Sequence, residues 1–81
     1  GIRLWDLAFL YSKDTNGFNG IKSRVERFDS FEDRAFITFF YLISVLINVK
    51  KKRARKVIES QILPAMSYLN TLLECRKNEE L

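Results

Sequence analysis

The chain has 81 residues, with 14 Lys or Arg against 10 Asp or Glu, a single cysteine and no histidine. A chain this short holds one domain at most and buries only about 60% of its unfolded surface, so its core is small. The composition excludes an internal disulfide and a zinc site built from Cys and His, and it removes the commonest general base.

The net charge of +4 is unevenly placed. Residues 1–49 carry six basic and six acidic side chains, which cancel, whereas residues 50–81 carry eight and four and hold the whole excess. The basicity is therefore a local patch. A lone thiol and the lack of an N-x-Ser/Thr sequon fit an intracellular setting, cytoplasmic or nuclear. Because the first residue is Gly, residues 1–81 read either as a complete α-helical domain or as a piece of a longer protein.

Ile2–Ser12 predicts a first helix, apolar on more than half its circumference. Trp5 and Phe9 lie on the inward face with Ala8, and Arg3 and Asp6 lie outside. Too short to stand alone, this helix requires packing. Lys13–Gly20 reads as a loop, reversed at Asn16-Gly17 and Asn19-Gly20. Its Asp14-x-Asn16 start lacks the glycine and the bidentate Glu of a calcium loop, so no metal is expected there. Ile21–Phe28 predicts a short second helix with Ile21, Val25 and Phe28 inward.

The third element dominates the chain. Ser30 supplies an N-cap, Glu32 and Asp33 suit the positive end of the helix dipole, and Ala35–Val49 then runs for 15 residues without a charge. Phe36, Phe40, Ile43 and Ile47 recur at spacings of four, three and four, with Phe39 and Leu46 beside them. This stripe predicts a helix over about 31–49 and, with Trp5 and Phe9, the core of the domain. A second apolar set, Phe31, Ile37, Leu42 and Val49, lies on other sides of the same helix. The polar strip of Arg34, Thr38, Tyr41, Ser44 and Asn48 is thin, so the helix should be covered nearly all round. A membrane span competes with this reading, but the run falls short of the roughly 20 apolar residues needed.

Lys50, Lys51, Lys52, Arg53, Arg55 and Lys56 then crowd six cations into seven residues. Nothing between Asn48 and Arg53 actively breaks a helix, so one helix from Phe31 to about Leu63 competes with a break near Asn48–Lys52. The break is preferred because Lys50 and Lys51 would otherwise enter the buried stripe. From Val57 an amphipathic stripe runs through Ile62, Ala65, Leu69, Leu72 and Leu73, in phase across Pro64, which predicts a helix kinked near that proline.

The fold class expected is therefore all-α, a small bundle of three to four helices around one very apolar central helix. No acidic pair, glycine-rich phosphate loop or activated nucleophile suggests catalysis, and no cofactor, metal or small-molecule substrate is expected. Too few helices are available to cover both apolar faces, so the expected function is a protein-interaction or oligomerisation module. Phe31, Ile37, Leu42 and Val49 would meet a second copy or an obligate protein partner. The alternative is a nucleic-acid-binding accessory protein that uses the cluster at 50–56 on phosphates. A membrane-associated segment with a polybasic flank is the third reading.

Overall fold

Helix α3 (Phe31–Asn48) is the axis of the molecule. The computed structural model describes residues 2–49 and 54–80, and every regular element among them is helical, forming a small bundle. Before α3 come α1 (Ile2–Tyr11) and α2 (Phe18–Val25). After it come α4 (Ala54–Val57), a π-helical turn (Ile58–Ile62) and α5 (Leu63–Glu80), joined through helical dihedrals. Helices α1 and α5 flank α3, while α2 packs behind them against α5 and the π turn.

The ends of α3 follow from its residues. The Ser30 hydroxyl accepts from the Asp33 backbone N–H at 2.9 Å, which satisfies one of the donors a helix start leaves unpaired. The far end stops at Val49, whose extended backbone breaks the helix ahead of the basic run. Residues Lys50–Arg53 lie outside those described.

The α1–α2 loop is held by Asp14. One carboxylate oxygen accepts from the Asn16 N–H at 2.7 Å and the other from Arg24 at 2.9 Å, while the Arg24 guanidinium lies 5.1 Å from the Tyr11 ring centroid. The Asn16 amide, and after it Arg24, hold the Asp14 carboxyl below its usual range. Gly17 follows at φ 76° and starts α2 three residues earlier than the sequence predicts. Phe18 is thereby carried out of the expected loop and into the core.

Phe18 is fully buried between Tyr41 of α3 and Tyr68 of α5, with ring centroids 5.3 and 5.6 Å away. Ile21 and Val25 of α2, Ala8 of α1 and Ala65 and Leu72 of α5 complete this core. The irregularity expected near Pro64 is the π turn. Proline has no N–H for the Ser60 carbonyl, and the chain widens just ahead of it, where the Leu63 N–H reaches back to the Ile58 carbonyl. The Ser60 carbonyl lies directly against Gly17, where a β-carbon would overlap it. One proline and one glycine thus set how closely the last rod meets α2.

The inward face of α3 is the reverse of the one its largest stripe suggests. Ile37, Thr38, Tyr41, Leu42, Ser44 and Val45 are buried. Trp5, Phe9, Phe36, Phe39, Leu46 and Ile47, expected in the core, are exposed, and Phe40 and Ile43 are only half-buried. The physical reason is the partner: the Phe18 ring packs on Tyr41 of α3 and Tyr68 of α5, which turns the Tyr41 side of α3, with Ile37, Leu42 and Val45, into the core. The Thr38 hydroxyl loses little by burial, since it donates to the Arg34 carbonyl at 2.8 Å.

Candidate protein-interaction surface

The outward face of α3 carries a run of exposed large apolar side chains. Phe36, Phe39, Leu46 and Ile47 are 50, 51, 60 and 68% exposed. On α1, Trp5 meets Phe40 edge-on with centroids 4.8 Å apart. Phe36 stacks on Phe40 at 6.0 Å, and Phe39 lies at the same distance, so the aromatic cluster crosses from α1 onto α3 without a gap. Phe9, also exposed, extends it, with the Lys13 ammonium 4.9 Å from its centroid.

On its other side, the face dips into a groove of about 290 Å³ between the N-terminal half of α3 and α5. Phe31, Ala35, Phe36 and Phe39 form one wall, and Leu69, Leu72 and Leu73 form the other. Glu32 and Arg76, 3.7 Å apart, lie at its edge. The described residues span 43 × 24 × 18 Å between Cα atoms. The exposure of Phe36, Phe39, Leu46 and Ile47 shows that this side of α3 is left bare by the other described helices.

Of the residues expected to meet a partner, Ile37 and Leu42 are buried in the core and cannot do so in the folded chain. Phe31 and Val49 are half-buried against that core, with Phe31 also lining the groove. The face of α3 expected in the core is thus largely exposed, and two of the four residues expected outside it are buried. The signal missed was a second helical stripe: Ile37, Tyr41, Ser44 and Thr38, Leu42, Val45 repeat at spacings of three and four, as the phenylalanines do.

Of the basic cluster, Arg55 and Lys56 are exposed on α4, and Arg55 lies 3.5 Å from Glu59 one turn on. Lys50, Lys51, Lys52 and Arg53 lie outside the described residues. No helix among the described residues is long and apolar enough to cross a membrane. No group of three metal-ligating side chains converges among them. Cys75 is an exposed free thiol near the end of α5.

The chain matches no protein-family model, no curated protein and no solved structure.

Proposed function

We propose that this protein is a non-enzymatic interaction module that self-associates through the outward face of α3. The observation that carries the reading is the bare aromatic and aliphatic stripe at Phe36, Phe39, Leu46 and Ile47, continued by Trp5 and Phe9. Scaling their exposure by the roughly 150–250 Å² that an aromatic side chain buries when covered gives a patch of roughly 600 Å². That is at the upper end of the largest patch on an ordinary monomer, about 300–600 Å². It approaches the roughly 800 Å² per partner of a standard interface, before Phe40, Ile43 and Leu73 are counted. The single thiol fits a reducing, intracellular compartment.

Light scattering across the micromolar range tests this. The wild type should shift from monomer to dimer mass with concentration. Phe39→Glu should remain monomeric with an unchanged helical circular-dichroism spectrum, because this side chain is half exposed and lies outside the core. A wild type that stays monomeric at high micromolar concentration overturns the reading.

A further inference from the structure

Phe36, Phe39, Ile43 and Leu46 follow one another at spacings of three, four and three, with Phe40 and Ile47 directly beside them. This is the a/d repeat of a coiled-coil seam held for two turns of the pattern, with Phe36, Phe39 and Leu46 exposed and Ile43 half-buried. The geometry points to a two-fold symmetric dimer in which α3 packs antiparallel against α3 of a second copy, with Leu46 and Ile47 of each seated in the other's α3–α5 groove. The arrangement rests on the self-association proposed above.

The shape of the face selects the antiparallel sense. The groove lies beside the N-terminal half of α3, at Phe31, Ala35 and Phe39, while the most exposed apolar side chains of the stripe, Leu46 and Ile47, lie on its C-terminal half. Antiparallel packing places projection against groove twice, as a closed two-fold contact requires. Parallel packing sets groove against groove and leaves Leu46 and Ile47 facing their own copies.

Disulfide cross-linking reads the sense directly. Phe36 and Ile47 are 11 residues apart, which is about 16 Å along a helix, far beyond the Cβ separation of about 4 Å that a disulfide spans. In a Cys75→Ser background, Phe36→Cys, Leu46→Cys and Ile47→Cys are made as separate full-length chains. Each is incubated with oxidised glutathione, alone and in pairs, at a concentration where the Cys75→Ser parent is dimeric. All three positions are exposed, and circular dichroism checks the fold. The proposal expects cross-linked dimers when Phe36→Cys is mixed with Ile47→Cys or Leu46→Cys, the second pairing covering a one-residue shift in register. Each variant alone should give little. Homotypic cross-links of Phe36→Cys and of Ile47→Cys would show parallel packing and overturn the arrangement while leaving self-association standing. A parent dimer with no cross-link in any mixture places the interface elsewhere and overturns it too. A parent that is monomeric throughout overturns both readings.

Discussion

Gly17 combines two demands that no other residue meets. Its φ of 76° and ψ of −166° lie in a region open essentially to glycine alone, and a β-carbon would overlap the Ser60 carbonyl. Gly17→Ala should therefore lower stability by at least about 1–3 kcal/mol, measured by urea denaturation. Tyr41 is the opposite case, a buried group whose removal should be harmless. Among the described residues nothing pairs with its hydroxyl, and burial, followed by the nearby Asp14 charge, pushes its pKa up to about 12. Tyr41→Phe should leave stability at neutral pH unchanged or raised, since an unpaired buried hydroxyl contributes no hydrogen bond. The folded-state value lies above the ordinary value of 10, so the stability tied to this group is complete below pH 10 and is lost as pH rises towards 12. The variant should lose stability less steeply over that window. Tyr68, raised by its own burial and then by the Glu26 charge, should account for part of the slope that remains.

At the scale of the element, α3 has two apolar faces, and truncation tells which one is core. Ile37 is fully buried, so Ile37→Ala should destabilise by about 2–5 kcal/mol. Phe39→Ala, on the half-exposed face, should cost under about 1 kcal/mol when measured where the chain is monomeric. The opposite ranking in chemical denaturation would restore the phenylalanine stripe to the core. Ser30→Ala should lower stability by about 0.5–2 kcal/mol through the lost cap. The extent of α3 was legible because its signals are local: a hydroxyl three residues ahead of an acid, an uncharged run, then a crowd of cations. Its rotation about its own axis was not legible. Two stripes of similar periodicity lie on opposite sides of one helix, and the buried one, with Thr38, Tyr41 and Ser44, is the less apolar of the two. What ranks them is fit to partners that come from elsewhere in the chain. Tyr41 packs against Phe18, read from sequence as a loop residue, in a core that also holds Ala8 and Ala65.

For the whole molecule, two short helices and one long rod cover α3 on one side and leave the other bare. Added salt should leave the dimer intact or strengthen it, because most of the surface it removes from water is apolar and salt screens the repulsion between two chains of net charge +4. Sedimentation at low and high ionic strength measures this. A dimer that dissociates as salt is added would mean that ion pairs, and not the apolar face, hold it together.

The Ser30 cap, the extent of α3 and the all-helical class were determined by the sequence itself, because hydrogen-bond donors, dipoles and periodicity act within a few residues along the chain. It also showed that one apolar face of α3 had to remain over, since a chain of 81 residues has too little helix to cover both. Which face remains was decided only by the tertiary structure. Phe18 enters the core because Gly17 turns the chain early, and Gly17 approaches the Ser60 carbonyl because Pro64 leaves that carbonyl without its helical donor. Gly17 and Ser60 are 43 positions apart, and Phe18 lies 23 positions from Tyr41 and 50 from Tyr68. These contacts hold the Ile37, Tyr41 and Val45 face of α3 inward and leave Phe36, Phe39, Leu46 and Ile47 to the solvent.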